Sequence, residues 1–238
     1  MTPLVTSIWR AAVPPPSRDN HREVEDMHDA FHHETLYRGD EALARLRRAR
    51  LTICGAGAVG SNLVDNLARQ GLRWMTVIDD DRIEARNVGT HTYAASDVGA
   101  FKVEVLQAEV FRAVGVEFIP MRMRLTERNV DRLLAETDLV VDGFDDRVSR
   151  TLVTERCRTA GIPCLHVGLS GDRAEVLWNE SYRTAQDVTE EGVDYPLARN
   201  LIQFAVALAS EAIVRFILSG EQQSYSCTLQ DLRIDIEG

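Results

Sequence analysis

The 238-residue chain is short of several features that would each fix a class. It holds only four cysteines (Cys54, Cys157, Cys164 and Cys227), scattered along the chain. That spacing excludes a disulfide scaffold and leads us to expect a reducing cytoplasm. No basic segment followed by a long apolar stretch opens the chain, so no signal peptide is read there. The longest apolar run, 201–218, is interrupted by Glu211 and Arg215 and reads as a buried amphipathic helix, so no membrane partner is expected. Positive charge is in deficit. A formal net charge of −10 sets nucleic acid and anionic membranes aside as default partners. Internal repeats and low-complexity segments are also absent.

The length is enough for one domain with a full hydrophobic core. Residues 1–22, with Pro14-Pro15-Pro16, read as a flexible N-terminal arm, and 23–50 as a helical segment broken at Gly39. From 51 to 238 the pattern is that of a nucleotide-binding domain. Apolar segments near 51–54, 75–79, 118–123, 139–142 and 163–167 read as strands. Helical stretches near 61–70, 100–113, 126–136 and 147–160 lie between them. This alternation predicts a Rossmann-like α/β fold, its sheet mostly parallel and covered by helices on both faces. After Ser170 the order changes to a strand at 174–179, a polar loop, the long helix and a last strand over 226–236, read as an antiparallel C-terminal extension.

The first strand runs into Gly55, Gly57 and Gly60 in G-x-G-x-x-G order, followed by a helix. The first glycine allows a tight turn, and the second lets backbone approach a phosphate. The third lets helix and strand pack closely, with the helix N-terminus facing an anion. By itself this motif leaves NAD, FAD, S-adenosylmethionine and ATP open. The second strand ends in Asp79-Asp80-Asp81, and Asp79, nineteen residues beyond Gly60, stands where a carboxylate accepts from ribose. Asn87 follows, then Lys102 at a helix start, and the fourth strand ends in Asp142-Gly143-Phe144-Asp145-Asp146. A nicotinamide site needs an apolar slot. A lysine and several carboxylates at converging strand ends suit a triphosphate with Mg²⁺, Lys102 neutralising phosphate and Asp145 holding the metal.

On GAGAVGSN, VIDDD with Asn87 after it, DVGAFK and DGFDD, the chain resembles the ubiquitin-activating-like adenylyltransferases, including the ThiF, MoeB, HesA and TcdA groups. The resemblance runs from about Phe31 to the helix containing Ser210-Glu211-Ala212-Ile213. It implies Mg²⁺ and ATP, and attack of a carboxylate on the α-phosphate to give an acyl adenylate and pyrophosphate. The carboxylate would be the C-terminus of a peptide or of a ubiquitin-like or sulfur-carrier protein, and the enzyme a homodimer or a heterodimer subunit. By position, Asp79 binds ribose, Asn87 and Lys102 contact phosphates, Asp145 coordinates Mg²⁺ and Asp81 lies close to the nucleotide.

The chain departs from the family pattern at charged positions. Relatives carry an Arg-Gln pair where Thr90 and His91 stand, and an arginine, often reaching across a dimer, where His33 stands. Histidine offers a partly charged ring without a bidentate fork, and His33 is the expected cross-dimer contact. Relatives bind structural zinc through two C-x-x-C pairs, absent here, so no zinc is expected. The position of the family's thioester- or persulfide-forming cysteine falls near Glu191 and Gly192, so no covalent thioester step is expected. Cys157, Cys164 and His166 read as core, and the His28–His32 i, i+4 pair as part of a solvated or interface-facing helix. Two alternatives stand beside adenylation. One is a nucleotide-binding family member of weakened activity serving as scaffold or heterodimer subunit. The other is an NAD- or flavin-dependent oxidoreductase.

Overall fold

The structure is a computed structural model and describes residues 30–179, 182 and 196–237. The N-terminal arm, His28, the 191–192 position and most of the expected polar loop lie outside the described residues. Two short helices come first, α1 (His32–Arg38) and α2 (Asp40–Leu46), parted at Gly39, whose φ of +86° suits glycine. The alternating section follows as β1 (Arg50–Cys54), α3 (Ala58–Arg69), β2 (Trp74–Ile78), α4 (Lys102–Val114), β3 (Ile119–Met121), α5 (Val130–Leu133), β4 (Leu139–Asp142), α6 (Arg147–Ala160) and β5 (Cys164–Ser170). The chain closes with β6 (Arg173–Trp178), α7 (Arg199–Ser219), β7 (Ser224–Thr228) and β8 (Ile234–Glu237).

All eight strands form one sheet in the order β3-β2-β1-β4-β5-β6-β7-β8. The first five are parallel and the last three add antiparallel pairings, as the sequence pattern predicts. The period-2 alternation of each central strand explains the two covered faces. Leu51, Ile53, Leu139 and Val141 enter one core with side chains of α2, α3, α4 and α7. Cys54 and Val140 enter the other with Val130 and Leu133 of α5 and Val153 and Cys157 of α6. The four cysteines are free and buried, Cys157 and Cys164 in the core as expected. By length and composition α7 could cross a membrane. It packs here as a core helix, burying Leu201, Ile202, Ala205, Val206, Ala209, Ile213 and Val214.

Three expectations are corrected. The helix expected over 126–136 contracts to one turn, Val130–Leu133. Asn129 is the cause: its Oδ1 accepts from the Thr126 N–H at 2.8 Å and its Nδ2 donates to the Arg124 carbonyl at 2.9 Å, competing with helix formation. The strand expected over 226–236 is a hairpin, β7 and β8, turning through Leu232 at φ +55°. Lastly, α3 begins at Ala58 rather than 61, because the glycine loop runs straight into its first turn.

Candidate functional site

The strand order reverses between β1 and β4, and in open α/β sheets the ligand crevice lies at the carboxyl ends of the strands at such a switch point. The glycine loop occupies it. Gly55 has φ +98° and donates its N–H to the Ile78 carbonyl at 2.8 Å. A Cβ on Gly60 would stand 1.9 Å from the Gly55 carbonyl oxygen, so only glycine lets α3 start this close to β1. Gly57 is the opposite case: a Cβ there would meet nothing within 4 Å. Gly57 also caps α3 without a side-chain hydrogen bond, and the first turn holds no acidic residue. Free backbone N–H groups at a helix start with open space before them suit an anion. The loop after β4 joins the same place, since Gly143 donates to the Cys54 carbonyl at 2.9 Å and its own oxygen lies beside Gly55.

Asp79, just past β2, is buried and uses both oxygens on backbone. Oδ2 accepts from the Ala56 N–H at 2.7 Å and Oδ1 from the Asp81 N–H at 2.8 Å, so it pins the glycine loop to the β2 end. Burial raises its pKa, against the opposing pull of Lys102 and the two backbone donors. Lys102, the first residue of α4, is the chain's one lysine beside 26 arginines. Its ammonium lies 2.7 Å from Asp81 Oδ2 and its side chain is 10% exposed, while that of Asp81 is 66% exposed. Tyr93, also buried, donates its hydroxyl to the Ala56 carbonyl at 2.7 Å and steadies the loop from the other side.

Asn87 closes a 3-10 turn, Ala85–Asn87, where its Oδ1 accepts from the Glu84 N–H at 2.8 Å. The Asn87 carbonyl accepts from the Thr90 and His91 N–H groups. His91, which stands at the glutamine position of the family pair, carries an uncharged side chain, as that glutamine would. Burial, and secondarily the charge of Lys102, pushes its pKa down to about 4, so the ring is neutral at neutral pH. Thr90 Oγ1 lies 3.0 Å from its Nδ1. Asp145 is exposed in the loop after β4, next to Asp146, which caps α6 by accepting from the Ser149 N–H at 2.8 Å. Among the described residues no group of three or more His, Cys, Asp or Glu side chains is arranged for a metal. A Mg²⁺ at Asp145 would therefore take its other oxygens from phosphate and water, its ordinary habit. His33 is exposed on α1 with its ring 5.4 Å from that of His32, and no described contact joins it to the crevice.

Sequence reasoning missed a buried polar chain beneath the site. His166 Nδ1 lies 2.9 Å from Asp142 Oδ2, its Nε2 lies 2.7 Å from the Asn179 side chain, and Tyr182 stacks on the ring at 3.8 Å. Arg150 reaches the Phe144 and Val167 carbonyls and the Tyr182 hydroxyl. The reading of His166 as a satisfied core histidine is borne out, but its partner is visible only in the β4–β5 register, where Asp142 and His166 face each other.

Comparisons with known proteins bear on the family and the fold. A SAMP-activating enzyme E1 of Haloferax volcanii is 34% identical over 131 residues, 54% of this chain and 48% of that protein. A sulfur carrier protein adenylyltransferase of Thermus thermophilus is 33% identical over 141 residues, 57% of this chain and 51% of that protein. The chain thus spans about half the length of these curated relatives. Among solved structures, E. coli MccB with MccA-N7isoASN superposes with a TM-score of 0.77 at 17% identity, covering 89% of this chain and 71% of that one, which shows the fold. The ThiF family profile matches residues 33–231, nearly the whole described span. The chain belongs to the ThiF family.

Proposed function

We propose that the chain is an ATP-dependent adenylyltransferase that activates a carboxylate, the C-terminus of a peptide or of a small ubiquitin-like or sulfur-carrier protein. A carboxylate oxygen bonds to the α-phosphorus, the bond from that phosphorus to the bridging oxygen breaks, and pyrophosphate leaves. The products are an acyl adenylate and pyrophosphate, and nothing is oxidised or reduced. Mg²⁺, when bound, draws charge from the phosphate oxygens. The chain's own groups divide the remaining work. The α3 N-terminus and the Gly57 backbone receive phosphate, Asp79 accepts from ribose, and the Asn87 NH₂ and Lys102 ammonium face the phosphates. Asp145 takes the metal, with Asp81 beside the nucleotide holding Lys102.

The observation that carries the reading is the Lys102–Asp81 pair, 2.7 Å apart beside an uncapped helix N-terminus with open space at Gly57. A hydride-transfer site would need an apolar slot there. The names of the two curated relatives support a carrier-protein C-terminus as the substrate. The test is Mg²⁺-dependent ATP–pyrophosphate exchange against a panel of carrier-protein and peptide C-termini. Exchange that depends on one of them is the expected result. Asp145→Ala should lower the rate about 100-fold or more, the scale of losing a transition-state charge partner, with Lys102→Ala slower as well. Full activity in Asp145→Ala would remove the metal assignment. Calorimetric ATP binding with no exchange for any partner would favour the scaffold reading, which the arginines replaced at Thr90 and His33 motivate. Tighter binding of NAD than of ATP would favour the oxidoreductase.

A further inference from the structure

We infer that Arg199, the first residue of α7, is a phosphate-binding cation of the nucleotide site, directed at the pyrophosphoryl end of ATP. The inference rests on the adenylation reading and adds a residue to it. It starts from charge balance. ATP brings about four negative charges at neutral pH to a crevice that holds Asp79, Asp81 and Asp145. The lysine there is already 2.7 Å from Asp81, His91 is neutral, and Arg150 is committed to two carbonyls and a hydroxyl. Mg²⁺ at Asp145 would offset part of this charge, and a further cation able to reach the phosphates would offset more.

Arg199 is placed to be that cation. Its side chain is exposed, and Nη1 lies 3.4 Å from the His91 carbonyl, a long contact that places the guanidinium without using up its donors. One turn further along the same face of α7, Gln203 Nε2 donates to Asn62 Oδ1 at 2.8 Å. Asn62, in α3, in turn donates to the Thr90 carbonyl at 3.0 Å and to the Ala58 carbonyl at 2.7 Å. This face of α7 is therefore stitched to the first turns of α3 and to the 87–91 segment. Those are the parts that the adenylation reading assigns to phosphate.

A second observation is independent of these contacts. Arginine at a helix N-terminus opposes the macrodipole, and α7 has no acidic residue in its first turn and no side-chain cap to offset it. Among the described residues nothing in the first turn of α7 compensates this charge, which is the kind of local conflict found at functional sites. Here the positive end of α7 and the guanidinium add their fields at one place, and a polyphosphate is the anion that profits from both. Guanidinium forks also match phosphate geometry bidentately, which an ammonium does not.

Calorimetric titration of Mg-ATP and of AMP into the wild-type chain, Arg199→Gln and Arg199→Lys tests this. Arg199→Gln should weaken ATP about tenfold or more while leaving AMP within about twofold, and Arg199→Lys should recover part of the ATP loss. The melting temperature of the unliganded chain should not move, because the side chain is exposed. ATP affinity unchanged in Arg199→Gln, or equal losses for ATP and AMP, overturns the assignment while the adenylation reading stands. A wild-type chain that binds no ATP overturns both.

Discussion

His91 is a histidine that the fold keeps uncharged, and this gives the molecule a defined acid response. Its folded pKa is about 4 against an ordinary 6.5, with burial as the first cause and Lys102 as the second. As pH falls through 6.5 the unfolded chain takes up a proton that the folded chain refuses until about pH 4. Stability contributed by the neutral ring is thus complete above 6.5, declines across that window and is exhausted below it. The loss between pH 7.5 and pH 5 is about 2 kcal/mol for this residue alone. Urea unfolding of the wild type and of His91→Gln at the two pH values isolates it, since other groups titrate in both. Parallel losses in the two proteins would mean that His91 does not carry the effect. The same residue shows the limit of reading a sequence: histidine type was visible, but its charge depends on burial supplied by the chain folded around it.

At the scale of the element, the glycine loop separates two roles that the motif superimposes. Gly60 serves packing, because an added methyl would sit 1.9 Å from the Gly55 oxygen. Gly60→Ala should cost about 3 kcal/mol in urea unfolding through forced separation of β1 and α3. Gly57 serves approach. Its φ of −74° is ordinary and a methyl would touch nothing. Gly57→Ala should leave stability within about 0.5 kcal/mol and weaken ATP about tenfold, since the methyl takes the space a phosphate needs. A stability loss at Gly57 equal to that at Gly60 would sink the division. Elements with strong local signals were legible in the sequence: the glycine loop, the alternating strands and helices, the break at Gly39. The shortened α5 was not, because Asn129 in mid-pattern redirects its amide to backbone and ends the periodic helix. Asp79 and Lys102 were visible as residues, whereas the pinning of the loop by Asp79 needs the β1–β2 pairing that sets them side by side.

At the scale of the whole molecule, the parallel half and the antiparallel extension meet at β5, and the buried chain Asp142–His166–Asn179 crosses that seam. Asp142 ends β4, His166 faces it on β5, and Asn179 follows β6. Arg158 of α6 donates to the Asn179 and Tyr182 carbonyls at 2.9 and 2.8 Å, fixing the far end. Asp142 is fully buried, and besides His166 it accepts from the Phe144 N–H at 3.2 Å, so it also shapes the loop that carries Asp145. Asp142→Ala would leave the His166 Nδ1 and the Phe144 N–H without partners and remove the charge 3.9 Å from Arg150. A loss of about 3 kcal/mol follows for such a buried, partly charged network. If the chain acts as one unit, the double variant Asp142→Ala, His166→Ala should lose much less than the sum of the single variants, by at least about 1 kcal/mol. Additive losses would mean that Asp142 and His166 act separately. A further consequence belongs to the site: because the same carboxylate sets the turn before Asp145, Asp142→Ala should weaken Mg²⁺-dependent ATP binding even at temperatures where the chain remains folded.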